Sequence, residues 1–201
     1  MTDAKIDSSK TTELTMEINP MIKKVASTAT NAKDINLPTD EGTTNAKVLS
    51  TEKVTVTTPV TITIPLPTGL GSDTTKPIYI KHVKENGATF VYEATVTQDG
   101  ETYYAKFTNP NGFSTFTVTA TNPAVAKIGS VGYTTLQAAV DAAKDNDTIK
   151  LEQNVAADTK ATVAKTVKFT VDTNSKTFDK DKNIVVGNYT TVKVTGTASP
   201  F

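Results

Sequence analysis

Residues 128–151 read IGSVGYTTLQAAVDAAKDNDTIKL and contain the clearest helical pattern in a chain that otherwise alternates as strands do. Four apolar residues recur at the spacing that places side chains on one helical face: Leu136, Ala139, Val140 and Ala143. The spacing predicts a helix over about 134–145. The segment also separates two unlike parts of the chain, so it decides how the fold is divided.

The polar residues of this segment are explained by the two ends of the helix. Thr134 is predicted to cap the N-terminus, with Gln137 reaching back to it as in a capping box. Lys144 falls in the last turn, where its charge suits the helix dipole. Asn146 can adopt the left-handed conformation that ends a helix. The segment therefore has structural roles and holds no catalytic constellation.

Before the helix the sequence alternates with a period of two, which predicts about seven to nine short antiparallel strands with one buried face. Asp99-Gly100 lies between two alternating runs and predicts a hairpin. Pro59 and Pro65 place their strand at an edge or a bend, because proline cannot donate to a ladder. The alternating runs are 14–18, 54–56, 60–66, 78–83, 90–96, 103–107 and 113–118.

After the helix, strand-like clusters recur at 149–151, 167–171, 184–186 and 192–194, separated by polar turns. A helix followed by brief strands fits the start of a parallel β-helix with the helix over its open end. It equally fits a small α+β sheet that packs one helix. The predicted fold class is mainly β: an antiparallel, Ig-like β-sandwich followed by one of these two arrangements.

The pattern predicts three parts: a flexible tail over 1–11, a sandwich domain over 12–123, and the helix-led segment over 124–201. The N-terminal residues have no apolar core of the kind found in signal peptides. If the protein is exported, we therefore expect the chain to be a segment of a longer protein.

Composition restricts the classes of partner. The net charge is zero and all 21 basic residues are Lys, so neither nucleic acid nor an anionic membrane is a predicted partner. No apolar run approaches the roughly 20 residues that span a membrane. Without Cys the chain can form no disulfide and no thiolate site. Roughly one residue in five is Thr, which suits the solvent face of a sheet.

The sequence AKIGSVGYTTLQAAVDAAKDNDTIKLEQNV resembles a segment of large Gram-positive cell-surface proteins that opens a right-handed parallel β-helix. The match is carried by Gly132, Tyr133, Leu136, Ala139 and the Asp147-Thr148-Ile149 run. The stretches ELTMEINPMIKKVAST, VTITIPLP and NGFSTFTV are similar to a β-sandwich repeat of the same class. The resemblance implies an extracellular, cell-surface location and an architecture more than an activity.

Three short motifs resemble reactive sites but lack a residue or a partner that the reaction needs. Residues 66–69, Leu-Pro-Thr-Gly, resemble a sortase signal but lack the residue between Pro and Thr, so a strand end with a turn is predicted. Residues 112–114, Gly-Phe-Ser, resemble a self-cleavage site with Gly where a His is needed. His82 has no sequence partner and is predicted to lie on a hairpin face.

The side-chain oxygens of Asp179, Asp181 and Asn183 are spaced as at the start of a calcium loop. The later positions do not carry the Gly and the bidentate acid that such a loop needs. These residues, and the acidic run 145–147, are predicted to be solvated turns. A Lys-to-Asn isopeptide bond requires a buried Lys, which a sequence does not reveal. A polysaccharide-cleaving site would need carboxylates aligned on adjacent rungs.

The favoured hypothesis is a non-catalytic spacer, stalk or adhesive scaffold of a bacterial surface protein. No catalytic, cofactor-binding or metal-binding residue is predicted. The expected partners are neighbouring domains and a host or environmental glycan or protein. The alternative is a carbohydrate-binding module that uses exposed tyrosines: Tyr79, Tyr92, Tyr103, Tyr104 or Tyr189. A fragment of a polysaccharide-degrading β-helix enzyme is the weakest reading.

Overall fold

A computed structural model describes residues 13–27, 46–71, 73–187 and 190–197 of the chain. In these residues the protein is mainly β, as the alternation predicts. The predicted tail over 1–11 and Tyr189 lie outside the described residues.

The described strands before residue 121 are β1 (Glu13–Glu17), β2 (Met21–Ser27), β3 (Ala46–Lys53), β4 (Val60–Pro65), β5 (Ile78–Val83), β6 (Thr89–Asp99), β7 (Thr102–Asn109) and β8 (Thr115–Thr119). After it come β9 (Ala126–Ile128), β10 (Val131–Tyr133), α1 (Leu136–Ala142), β11 (Thr148–Leu151), β12 (Ala161–Val163), β13 (Lys168–Asp172), α2 (Lys180–Asn183), β14 (Ile184–Val186) and β15 (Thr191–Thr195).

Strand β6 organises the first part of the chain because it makes two antiparallel pairings within that part. Its residues 89–94 pair with β5, and its residues 95–99 pair with β7. Strand β5 continues through β8 to β1, while β7 continues to β4. The inward side chains of β4 to β8 form one hydrophobic cluster, which includes Ile80, Phe107 and Phe116. Strands β2 and β3 form a separate antiparallel pair.

Most of the turn chemistry in this part is confirmed. Strands β6 and β7 form the predicted hairpin, with Gly100 at a φ of +57° in the turn. Strand β4 pairs with β7 alone among the described strands, so the edge position implied by Pro59 and Pro65 is confirmed. The prediction of a strand over 54–56 was wrong: these residues join no described ladder.

Helix α1 is shorter than predicted and its cap lies one residue later. Thr135, not Thr134, caps the N-terminus, and its hydroxyl accepts a 3.1 Å hydrogen bond from the Ala138 amide. The helix ends at Ala142, so Lys144 lies beyond the last turn. Asn146 has a φ of +68°, as predicted, but it lies in the turn that leads into β11.

Gln137 does not complete a capping box. Its side-chain oxygen accepts from the amide of Thr162 at 2.8 Å, and its side-chain nitrogen donates to the carbonyl of Thr162 at 3.0 Å. The Gln137 amide thereby bonds β12 as a neighbouring strand would.

The strands after the helix pair in parallel. Ile149 of β11 pairs with Val171 of β13, which in turn pairs with Val194 of β15. Strand β12 pairs with β14 in the same sense. Three elements here were not predicted: the hairpin β9–β10, strand β12, and the helical turn α2 in the place of a polar loop. The inward side chains form a second cluster with the apolar stripe of α1.

One mixed sheet of eleven described strands joins the two parts. Strand β10 pairs with β6 at Val131↔Tyr92 and Tyr133↔Phe90, while β6 pairs with β5 on its other side. Phe90 and Val131 pack against both hydrophobic clusters. The buried residues of the first cluster lie between 64 and 118 and those of the second between 126 and 192, and the division into domains over 12–123 and 124–201 stays a prediction.

Candidate functional site

The tyrosines predicted as ligand platforms lie in different environments. Tyr92 is 3% exposed, so the prediction that its ring is a surface platform was wrong. Tyr103 and Tyr104 are half-buried on β7, and Tyr103 packs against the first cluster. Tyr79 is half-buried on the outward face of β5, where it lines a cleft. Of the described tyrosines named from the sequence, Tyr79 is the one that meets other polar side chains in a concave site.

A buried polar network lies inside the first part of the chain and centres on His82. The His82 imidazole is fully buried and stacks on the ring of Phe116, with 4.2 Å between ring centres. Its Nε2 lies 3.0 Å from the hydroxyl of Ser114, and its Nδ1 lies 3.4 Å from the hydroxyl of Tyr92. His82 does lie on the β5–β6 hairpin, as predicted, but it faces the core.

The hydrogen bonds fix where the proton of the imidazole lies. The Ser114 hydroxyl donates to the carbonyl of Val83 at 2.6 Å, so it accepts from Nε2–H of His82. The Tyr92 hydroxyl accepts from the Asn111 amide at 2.9 Å and is then free to donate to Nδ1. Every member is satisfied with a neutral imidazole. In this arrangement His82 donates to Ser114, which is the reverse of what activates a nucleophile.

Burial lowers the pKa of His82 from 6.5 to about 4, with a smaller contribution from the charge of Lys84. Burial raises the pKa of Tyr92 to about 12, although its hydrogen bond with Asn111 opposes the shift. Both groups are therefore neutral at physiological pH, as their network requires.

The network changes the interpretation of residues 112–114. The sequence has Gly where a self-cleaving site has His, but the fold brings His82 to Ser114 across the β5–β8 ladder, where His82 pairs opposite Phe116. Sequence reasoning missed this contact because it depends on strand register. The direction of the hydrogen bonds gives Ser114 a structural role. Residues 66–69 form a strand end and a turn, as predicted, with Leu66 buried.

Two of the three candidate calcium residues, Asp179 and Asn183, use their side chains in hydrogen bonds with the backbone. Asp179 caps α2 by accepting from the Asp181 amide. The side chain of Asn183 is buried and donates to the carbonyls of Ala156 and Thr159. Among the residues that the structure describes, no group of His, Cys, Asp and Glu is arranged to hold a metal ion.

The acidic turn at 145–147 is equally committed. Asp145 accepts from the Lys168 amide, and Asp147 accepts from the Lys144 amide, each at 2.8 Å. These carboxylates satisfy backbone donors at turns. No Lys whose side-chain burial the structure describes is buried, so none of these Lys residues meets the requirement for an isopeptide bond.

A cleft of about 250 Å³ lies where the two parts of the chain meet. Its wall on the side of the first part consists of Tyr79 from β5 and Glu93 from β6, which are opposite each other in the ladder. Its other wall contains Lys127 of β9 and Glu152, which follows β11. We call this site the junction cleft.

The floor of the junction cleft is held by charge and hydrogen bonding. Lys127 Nζ lies 2.9 Å from Glu152 Oε1 in a partly buried ion pair, but the two groups are not aligned as donor and acceptor, so Oε1 makes no hydrogen bond. The Asn122 amide approaches Glu152 Oε2 at 3.4 Å, while Gln153 donates to the Asn122 carbonyl. Burial makes the largest contribution to raising the pKa of Tyr79, and the charges of Glu93 and Glu152 raise it further.

No protein-family model, curated protein or solved structure matches this chain. No helix within the described ranges is long and apolar enough to cross a membrane. Functional interpretation therefore depends on the geometry given above.

Proposed function

We propose that this chain is a non-catalytic structural and adhesive module of an extracellular, bacterial cell-surface protein. In this proposal the first part is an Ig-like β-sandwich and the second part is the capped start of a parallel β-helix. The observation that carries the proposal is the parallel stacking of β11, β13 and β15, together with the parallel pair β12 and β14, whose first edge α1 covers.

Side chains support a solenoid by tying the coil that contains β11 to the coil that contains β13 at a constant spacing. Asp145 bonds Lys168, Asn154 bonds Thr177, and the Asn174 amide bonds the Leu151 carbonyl, each pair 23 residues apart. A repeated offset of this size is typical of stacked solenoid repeats. The same bonds satisfy the polar groups of turns that lie between buried strands.

The helix supports the capping role because it replaces the missing neighbour of β12. An unpaired strand edge offers free amide and carbonyl groups that invite association with another chain. The side-chain amide of Gln137 occupies these groups at Thr162. The buried stripe of α1 covers the same end of the second cluster through Leu136, Ala139 and Val140.

A non-catalytic role is supported by the use of the polar groups. His82 and Ser114 are buried and mutually satisfied, and the turn acids bond backbone amides. Incubation with plant, fungal and bacterial polysaccharides should release no new reducing ends. Sustained release above that of a heat-denatured sample would contradict this part of the proposal.

Cell labelling tests the location. An antibody raised against the purified chain should label intact cells of the source bacterium as strongly as permeabilised cells. An antibody against a cytoplasmic enzyme serves as the control and should label permeabilised cells alone. If the antibody against this chain follows the cytoplasmic control, the proposed surface location is wrong.

Carbohydrate binding is the second candidate function, and the junction cleft favours it. Tyr79 and Glu93 face each other in a concave site on the outer face of the sheet. Aromatic rings combined with a few polar groups are typical of small-ligand sites.

A further inference from the structure

We infer that the junction cleft binds one neutral sugar unit of a glycan, with Tyr79 and Glu93 as the contacting side chains. The inference rests on the adhesive form of the proposed function and gives it a specific site. It places the ligand between the two parts of the chain and not on Tyr92, Tyr103 or Tyr104.

The polar side chains of the cleft differ in whether they already have hydrogen-bonding or ionic partners. Glu152 and Lys127 already form an ion pair, and Asn122 is bonded to the segment that follows β11. In contrast, the Tyr79 hydroxyl and the Glu93 carboxylate form no hydrogen bond with another described residue. A ligand therefore meets the Tyr79 hydroxyl as a donor beside the Glu93 carboxylate as an acceptor. The polar groups below them already interact with one another.

Tyr79 presents its ring on the outer face of the sheet. Its neighbours Ile78 and Ile80 point into the core, so its ring lies on the opposite face of the sheet. Burial and the two nearby carboxylates keep its hydroxyl protonated, since both raise its pKa. The site thus offers a flat apolar surface beside a hydrogen-bond donor, which suits a ring with one apolar face and several hydroxyls.

Charge and size restrict the class of ligand. Glu93 and Glu152 carry two negative charges against the one positive charge of Lys127, so an acidic sugar would be repelled. The volume of about 250 Å³ is below the roughly 300–1,000 Å³ of sites for drug-sized ligands. It therefore suits a single ring. Sugar hydroxyls both donate and accept, which matches a site with free groups of both kinds.

The backbone fixes the rear of the cleft. A Cβ at Gly132 would lie 2.9 Å from the Cβ of Ala124 and 3.0 Å from that of Val91, so β10 can approach β6 this closely only with glycine there. Gly129, at a φ of +58°, turns β9 into β10 beside the cleft. The amides of Gly129, Ser130 and Gly132 are therefore local reporters of occupancy.

Titration of the ¹⁵N-labelled chain with glucose, galactose and N-acetylglucosamine tests the inference. At least one of these sugars should produce saturable shifts of the Gly129, Ser130 and Gly132 amides, while glucuronate should produce none. Tyr79→Ala should weaken binding about tenfold or more, equal to about 1.4 kcal/mol. Glu93→Gln is the second variant, for the case that Tyr79→Ala does not fold. It changes a more exposed side chain and should weaken binding by a similar factor.

Tyr104→Ala is the matched control, since Tyr104 lies on β7 and does not line the cleft. It should leave the affinity unchanged. The inference is overturned if no neutral sugar gives saturable shifts, if glucuronate binds in their place, or if Tyr104→Ala weakens binding as much as Tyr79→Ala. Such a result would leave the cell-labelling test of the surface location unaffected.

Discussion

The buried imidazole of His82 should make the stability of the protein fall as the pH falls. The folded state holds the pKa at about 4, whereas an unfolded chain has the ordinary value of 6.5. The unfolded state therefore binds a proton first. The contribution of His82 is fully present above pH 6.5 and is lost progressively as the pH falls from 6.5 towards 4.

The difference between the two pKa values sets the size of this effect. At pH 5 the unfolded imidazole is almost fully protonated and the folded one is mostly neutral. The free energy of unfolding should then be lower than at pH 7.5 by about 2 kcal/mol, approaching roughly 3 kcal/mol below pH 4. The conversion is justified because the side chain is 0% exposed and does not share its charge with water.

One feature of the composition makes the assay direct: the chain has a single histidine. Urea denaturation at pH 7.5, 6 and 5 gives the change in unfolding free energy. The imidazole resonances of the folded protein give the pKa of His82 without interference from another residue. The carboxyl groups of Asp73 and Asp179 have pKa values below their usual range, so they stay ionised over this interval.

A folded-state pKa near 6.5, or a free energy of unfolding that is equal at pH 7.5 and pH 5, would refute this reasoning. His82→Gln is the matched variant, because its amide can still donate to Ser114 but does not titrate. Its stability should be lower than that of the parent at pH 7.5 and should change little down to pH 5. If the variant does not fold, the resonance titration of the parent still decides the question.

Two further predictions concern helix α1. Thr135→Ala should lower the free energy of unfolding by about 1 kcal/mol because it removes the cap, while Thr134→Ala should change it by less than about 0.5 kcal/mol. Equal effects in urea denaturation would mean that the cap is misassigned. Gln137→Glu keeps the shape of the side chain but removes the donor to the Thr162 carbonyl and to the Asp141 carboxylate, so it should cost about 1–2 kcal/mol at pH 7.5. Part of the lost stability should be regained at a pH where the carboxyl is protonated. A variant as stable as the parent at every pH would contradict the edge-covering role of Gln137.

Local chemistry made much of this fold predictable. The hairpin at Gly100, the edge strand bounded by Pro65 and the apolar stripe of α1 each follow from residues close together in sequence. The N-cap was misplaced by one residue because Thr134 and Thr135 are equally good caps by type. Strand β12 escaped prediction because three residues, Ala161–Val163, are too short to show a period.

The contacts that define the His82 network and the junction cleft could not be predicted, because they depend on the pairing of strands that are far apart in sequence. His82 meets Ser114 only through the register of β5 on β8. Tyr79 and Glu93 meet Lys127 only because the hairpin β9–β10 adds to the edge of β6. A sequence fixes which face of a strand is apolar, but a choice among possible neighbours depends on the summed packing of the whole sheet.

The continuity of the sheet determines how the junction cleft can work. Phe90 and Tyr92 of β6 pair with β5 on one side and with β10 on the other, and the rings of Phe90 and Tyr133 meet edge to face at 6.0 Å. The two walls of the cleft are thus connected by backbone hydrogen bonds instead of by a linker. Closure of one part over the other would have to break this ladder. A ligand at the cleft therefore meets a preformed site, and its affinity should depend on Tyr79 and Glu93 more than on movement of the chain.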